Sequence, residues 1–392
     1  MPIKRNMAGG EGIQVAYKAL YREWRPQGFQ ELVGQEHISH SLQNAIKNGR
    51  IAHAYLFSGP RGTGKTSTAK IMAKAVNCLQ PGPDGEPCNT CTNCESITAG
   101  RSLDVMEIDA ASNRGIDEIR ELRERVNFVP SQGKYKVYII DEVHMLTTEA
   151  FNALLKTLEE PPAHVIFILA TTEPQKIPAT ILSRCQRYDF RKIAPLEIQR
   201  RLQEILDSYG IEAEDGVLQL IVKKAEGGLR DAISILDQCI SLGEKEITLE
   251  TAHLVLGSVK SEALETITAA LVQKDAAALL VKVNELLQEG VEAGQIIKDL
   301  LEHLRNMMLL LVTGPDSQLV PGSAEEKAVL LEHANKLGRK RLSEAIALLA
   351  KVDSESRWRH NMRIALEMSL ISLITSEEDV PAPSAGSVPE QA

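Results

Sequence analysis

The chain has 392 residues, too many for one ordinary domain, so two or three are expected. Its 43% apolar content can fill real cores, and aromatics at only 4% suit a helix-rich protein better than a β-sandwich. A formal charge of −9 argues against coating nucleic acid by bulk attraction. No run of about 20 apolar residues and no charged-then-apolar leader is seen, so no membrane span is expected and the cytoplasm is the expected compartment.

Residues 1–16 carry Gly9, Gly10 and Gly12 among mixed polarity and read as a flexible leader. Tyr21-Arg22-Glu23-Trp24-Arg25-Pro26 and Leu32-Val33-Gly34-Gln35 form a compact segment ahead of a helix expected over 36–48. Two readings of it are compatible: a strap packed on the core, and a wall for a flat nucleotide base.

The stretch Gly59-Pro60-Arg61-Gly62-Thr63-Gly64-Lys65-Thr66 follows the apolar run Ala54–Phe57 and precedes a helical pattern beginning Thr66-Ser67-Thr68. Such a strand–loop–helix is the context in which a glycine-rich loop cradles phosphates. The glycines allow backbone N–H groups to converge on phosphate oxygens, and the helix N-terminus adds its dipole. Lys65 supplies charge for the β and γ phosphates, and the Thr66 hydroxyl is a candidate Mg²⁺ ligand.

Cys78 is followed by Cys88-x-x-Cys91-x-x-Cys94. Four thiolates satisfy tetrahedral Zn²⁺, and Pro81, Gly82, Pro83, Asp84 and Gly85 make the intervening piece a loop, so the ion would staple an insertion. An iron–sulfur cluster is the rival; no Cys-Pro follows at the spacing that run requires.

Strands are expected at Asp104–Asp109, Lys136–Glu142 and His164–Ala170, with a helix from Ile116 to Asn127. The second strand ends on Asp141-Glu142, where acids at the C-terminal edge of a parallel strand can act on a ligand. Asp141 would hold Mg²⁺ and Glu142 would orient and deprotonate the attacking water. Thr172, at the end of the last strand, could bond that water or the γ-phosphate. Arg114 could face a phosphate or solvent. Arg184, in Ile181-Leu182-Ser183-Arg184-Cys185, reads equally as a finger on a neighbouring site and as a surface ion pair. Short helices follow at 196–209, 216–225 and 229–243; Arg230 in the first turn of the last disfavours the helix dipole unless an anion offsets it. Residues 258–376 are helical by period with glycine breaks at 290–294 and 314–322, and read as an oligomerisation domain. Basic patches at 336–341 and 357–363 read as solvated faces. Beyond 376 the composition is that of a linker.

Together these residues resemble the clamp-loader ATPases of bacterial replication, the tau/gamma family of DNA polymerase III. The likeness rests on Trp24-Arg25-Pro26-Gln27 with Val33-Gly34-Gln35, the Gly59–Thr66 loop, the four cysteines and Asp141-Glu142-Val143-His144-Met145-Leu146. It continues through Asn152–Pro162, Ala170–Pro174, Ser183-Arg184-Cys185 and Gly227-Gly228-Leu229-Arg230-Asp231, and is strong over about 17–260. It implies an α/β plus all-α chain. A RecA-like AAA+ ATPase domain over 17–193 would carry a zinc module at 78–94. A helical lid over 194–257, a helical collar over 258–376 and a disordered linker tail over 377–392 would follow.

The implied cofactors are ATP, Mg²⁺ and structural Zn²⁺. ATP would be held by Gly59, Pro60, Arg61, Gly62, Thr63, Gly64, Lys65, Thr66 and Ser67, with Tyr21, Arg25, Pro26 and Val33 lining the adenine. The implied catalytic set is Lys65, Asp141, Glu142, Thr172, Arg230 and, acting in trans on a neighbour's ATP, Arg184. Implied partners are delta and delta-prime subunits, further copies of the chain, the β sliding clamp and primer–template DNA, with polymerase and single-strand-binding-protein-linked subunits beyond them, at the replication forks of the nucleoid. A nucleotide-binding scaffold without turnover and another AAA+ motor are the alternatives; the intact Lys65, Thr66, Asp141 and Glu142 oppose the first, and the cysteine module opposes the second. The chain ends in the linker at Ala392, whereas the long tau form of the family continues; a gamma-like form and a shortened tau both fit.

Overall fold

The computed structural model describes residues 18–243, 245–356 and 361–375. The leader expected over 1–16 and the tail expected over 377–392 lie outside the described residues, as do residues 357–360 of the second basic patch. The chain divides into two compact units, Met1–Ala252 and His253–Ala392.

The first unit is built on a five-stranded parallel sheet. Its strands are β1 (Ala54–Ser58), β2 (Val105–Asp109), β3 (Lys136–Asp141), β4 (Val165–Thr171) and β5 (Gln186–Asp189), ordered β2-β3-β4-β1-β5. Every residue of β1 and β4 is buried, which is why both read as continuous apolar runs: helices cover a parallel sheet on each face. Side chains alternate between those faces. Tyr55, Phe57, Val137, Ile139, Ile166 and Ile168 enter one core with α2 (Glu36–Lys47) and α3 (Lys65–Asn77), while α1 (Leu20–Glu23) precedes them in the chain. Leu56, Tyr138, Ile140, Phe167 and Leu169 enter the other, beneath α5 (Ile116–Val126) and α6 (Thr148–Glu159), with α4 (Thr92–Thr98) between the two sets in sequence. Each such side chain contributes about 1.5–3 kcal/mol when fully buried.

Register brings the functional ends level. Ser58 pairs with Thr171 and Asp109 with Asp141, so the C-terminal tips of β1, β3 and β4 lie along one edge. The loop after β1, the acids ending β3 and Thr172 after β4 therefore converge, although up to 113 positions separate Gly59 from Thr172 in the chain. After α7 (Ala179–Leu182) and β5, the same unit continues through α8 (Pro195–Tyr209), α9 (Val217–Lys224) and α10 (Leu229–Leu242). Two-residue strands β6 (Glu212–Ala213) and β7 (Glu246–Ile247) pair in parallel, and the division between units falls within α11 (Leu249–Leu256).

The second unit packs α12 (Ser261–Gln273), α13 (Ala276–Gln288), α14 (Ala293–Thr313), α15 (Ala324–Ser356) and α16 (Met362–Ile374) around Ile267, Val283, Leu300, Leu304, Leu342 and Leu370. Gly338, at φ 75°, breaks α15 into two segments, a break the helical period does not reveal. Buried within this core, Thr268 Oγ1 lies 3.5 Å from His303 Nε2 and 3.3 Å from His333 Nδ1. No helix among the described residues is long and apolar enough to cross a membrane.

Candidate nucleotide site and cysteine cluster

The loop leaving β1 is packed too closely for a side chain at its first glycine. A Cβ on Gly59, at φ +146°, would come within 2.4 Å of the Phe190 carbonyl. Gly64, in the left-handed region, turns the loop into α3 and points that helix's first N–H groups along the loop. Thr63 Oγ1 donates to the Pro60 carbonyl at 2.8 Å and fixes the loop from within.

Lys65 is 6% exposed, and its ammonium donates to the Gly59 and Pro60 carbonyls at 2.8 Å each. Burial pushes its pKa down, while Glu142 and Asp141 push it up. Thr66 Oγ1 donates to Asp141 Oδ2 at 2.6 Å, joining the loop to the tip of β3. That hydroxyl and that carboxylate are the hard oxygen pair an Mg²⁺ ion takes, so the donor set fits the ion.

Glu142 sits at φ 47°, ψ 44°, a conformation costing a non-glycine residue about 1 kcal/mol or more and turning its side chain from the strand line. Its Oε2 accepts from Thr172 Oγ1 at 3.1 Å. His144 Nδ1 approaches the same oxygen at 3.4 Å and Thr171 Oγ1 at 3.0 Å, and its Nε2 lies 3.3 Å from Glu173 Oε1. The sequence offered no role for His144; its neighbours on β4 are 27 positions or more away in the chain.

The α8–α10 segment closes over the loop. Arg230 N donates to the Gly62 carbonyl at 3.3 Å, and Arg61 Nε lies 3.7 Å from Asp231 Oδ1. A Cβ on Gly62 would stand 3.0 Å from Gly228 Cα, so glycines permit the approach from both sides. The Arg230 guanidinium carbon lies 4.8 Å from the Tyr21 ring centre, within cation–π range. Arg25 Nε donates to Ser67 Oγ at 3.1 Å. Burial lowers the Arg25 pKa, while Glu107 and Asp141 oppose that shift and Arg230 adds to it. Pro26 and Val33 are half-buried in the same segment.

Two expected residues stand apart from this group. Arg184 makes its contacts with Glu159 Oε1 at 2.8 Å, the Thr180 carbonyl at 2.7 Å and Ser183 Oγ at 3.2 Å. Arg114, exposed, folds onto its own loop through the Ala111 carbonyl.

Cys78, Cys88, Cys91 and Cys94 converge, all four Sγ atoms lying within 4.8 Å of one another. Zn–S bonds of ~2.3 Å at tetrahedral angles need sulfurs ~3.8 Å apart, so a small contraction seats an ion. Backbone N–H groups of Cys88, Cys91 and Cys94 aim at the Cys78, Cys88 and Cys91 sulfurs at 3.3–3.5 Å. Cys78 caps the C-terminus of α3, and Asn89, inside the Cys88–Cys91 turn, adopts φ 62°. A closed set of four sulfurs fits a structural ion and leaves no open coordination position.

Comparison with known proteins covers almost the whole chain. The family model for the DNA polymerase III delta subunit matches residues 34–194, that for the DNA polymerase III clamp loader subunit ATPase lid domain matches 197–245, and that for domain III of the gamma and tau subunits matches 247–386. DNA polymerase III subunit tau of Bacillus subtilis is 47% identical over 96% of this chain and 66% of its own length. Subunit tau of Salmonella typhimurium is 38% identical over 94% of this chain and 57% of its own, so the chain spans between about half and two thirds of these tau relatives. Among solved structures, the Holliday junction branch migration motor RuvB of Thermotoga maritima covers 64% of this chain and 80% of its own at 18% identity and a TM-score of 0.43. Subunit gamma of Buchnera aphidicola is 36% identical over 92% of this chain and 99% of its own. With that relative matched from end to end, the chain belongs to the gamma and tau family of DNA polymerase III subunits.

Proposed function

We propose that this chain is the ATPase subunit of a replicative clamp loader, using ATP binding and hydrolysis to open a β sliding clamp and release it closed on primer–template DNA. The observation that carries the reading is the paired bonding at one sheet edge. Thr66 holds Asp141, and Thr172 holds Glu142, directly beside the phosphate loop. A scaffold without turnover has no use for a strained, oriented carboxylate there.

In this reading the loop N–H groups from Gly59 to Ser67 and the Lys65 ammonium bind the triphosphate. Thr66 and Asp141 would hold Mg²⁺, which would supply positive charge to the triphosphate. Glu142 accepts a proton from the attacking water, and the Thr172 hydroxyl orients that carboxylate at 3.1 Å. Arg230, backed by the Tyr21 ring, brings lid charge to the γ-phosphate. Arg25, bonded to Ser67, belongs with the phosphate-side cations, leaving Pro26 and Val33 to meet the adenine. Arg184 serves a neighbouring subunit's ATP, which accords with its contacts lying away from the chain's own loop.

The cysteine cluster holds one structural Zn²⁺. Residues 17–193, 194–257 and 258–376 act as ATPase domain, lid and collar. Delta, delta-prime and further copies of the chain complete the ring in the cytoplasm. The test is the ATPase rate of the chain with delta, delta-prime and sliding clamp, with and without primed DNA. Strong stimulation that needs both clamp and primer–template supports clamp loading; a rate indifferent to both refutes it.

A further inference from the structure

Lys74 is 2% exposed, an unusual place for an ammonium, and its nitrogen is fully engaged. It donates to the Gln27 carbonyl at 2.9 Å, to Gln27 Oε1 at 2.8 Å and to Asn89 Oδ1 at 2.7 Å. Gln27 follows Arg25 in the N-terminal strap, and Asn89 lies in the metal-binding turn between Cys88 and Cys91. A second tie runs parallel to the first. Glu86, two residues before Cys88, accepts from the Phe29 and Gln30 N–H groups of the strap at 2.9 and 3.0 Å.

Burial pushes the Lys74 pKa down, and Cys94 is the largest influence acting against that push. A buried cation persists when acceptors and nearby negative charge replace water. A tetrathiolate centre holding a divalent ion, with net charge of about −2, supplies that charge. The same helix has a second connection to the nucleotide site: α3 begins at Lys65 in the phosphate loop and ends at Asn77, capped by Cys78, the first sulfur of the cluster. The strap returns beside it from Gln27 to Arg25, whose guanidinium holds Ser67 in the first turn.

We propose that Lys74 is a positioning residue that couples the four-cysteine centre to nucleotide binding, by pinning the 25–30 strap between Asn89 and the first turn of α3. The inference rests on the nucleotide-site reading above and extends it. With the ion bound, the Cys88–Cys91 turn is rigid and Asn89 is fixed as an acceptor; Gln27 and hence Arg25 are then held against Ser67. Without the ion the turn loosens, Lys74 loses an ordered partner and the strap is free to move. Linkage is reciprocal, so nucleotide must tighten the metal site by the same factor.

The experiment measures the dissociation constant of a fluorescent ATP analogue for the full chain, zinc-loaded and zinc-depleted, with Mg²⁺ constant. Wild type should weaken about 5–10-fold on zinc removal, within the usual range of inter-site coupling. Lys74→Met should weaken by a similar factor while keeping one zinc per chain, and should then show no further response to zinc removal. Asn89→Ala, which leaves the helix untouched, should behave the same way if Lys74→Met folds poorly. Leu158→Ala, a destabilising change in the opposite core, should keep the full zinc response. An unresponsive wild type, or equal zinc responses in wild type, Lys74→Met and Asn89→Ala, overturns the coupling. Analogue binding that survives Lys65→Ala would instead overturn the nucleotide-site reading itself.

Discussion

Replacing Glu142 by Gln separates binding from chemistry in this site. The amide keeps an acceptor oxygen for the Thr172 hydroxyl, now 3.1 Å from Glu142 Oε2, and demands the same backbone conformation at φ 47°. What is lost is one negative charge and the capacity to take a proton. Removing the charge also removes the largest charge influence raising the Lys65 pKa, and it lightens the negative field that phosphates must enter. Nucleotide affinity should therefore hold or rise slightly. Loss of a general base costs about 10²–10⁴-fold in kcat, or roughly 3–5 kcal/mol of transition-state stabilisation. The assay is steady-state phosphate release with partner subunits, clamp and primed DNA at saturating ATP, alongside binding of a fluorescent analogue. A kcat within threefold of wild type, with binding intact, would refute the assignment of Glu142 as base.

Three further outcomes are expected. Metal analysis should find about one zinc per chain, lost in Cys94→Ser; iron with visible absorbance would overturn the zinc assignment. Mixing Arg184→Ala chains with Lys65→Ala chains should partly restore ATPase activity in an assembled ring, because each variant supplies what the other lacks; no restoration would place Arg184 in cis. Burial puts His303 at about 4, down from 6.5, so the unfolded chain binds that proton first as pH falls. Stability carried by the neutral imidazole is then complete above pH 6.5 and is lost between 6.5 and about 4, by roughly 3 kcal/mol. In denaturant titrations of the second unit, His303→Gln should remove that part of the acid loss; identical pH dependence in both proteins would contradict it.

The strands were legible where burial on both faces writes itself as an unbroken apolar run, as in β1 and β4. The phosphate loop and the cysteines were legible because their chemistry needs particular residue types at fixed spacing. β5 escaped because it pairs only at the sheet edge, and three of its four residues are exposed and polar. α4 escaped because seven residues wrapped around Cys94 carry too little periodicity to read as a helix. The break at Gly338 is invisible in a sequence whose flanks are both helical, and glycine alone does not announce a left-handed residue. Tyr21 and Arg25 were grouped with the adenine by their place before the loop; their contacts with Arg230 and Ser67 depend on residues 209 and 42 positions away, which no local pattern records.

Such distant contacts concentrate on one short segment. Leu20 N donates to the buried Asp237 carboxylate of α10, Tyr21 backs Arg230, Arg25 holds Ser67, and Gln27 meets Lys74. Within eight residues, Leu20 to Gln27, the strap touches lid, phosphate loop and, through Lys74, the cysteine cluster. None of these contacts reaches Glu142, whose carboxylate is met by Thr172, just after β4, and by His144, just after β3. On the proposed function, the first unit would separate two tasks in space: the strap would set how the nucleotide is held, and the β3–β4 edge would set how water is activated. Changes in the strap should register in nucleotide affinity at nearly constant turnover when saturated, and changes at Glu142 in turnover at nearly constant affinity. A strap variant such as Gln27→Ala that lowered saturated turnover a hundredfold without weakening binding would show that the two tasks are not separate.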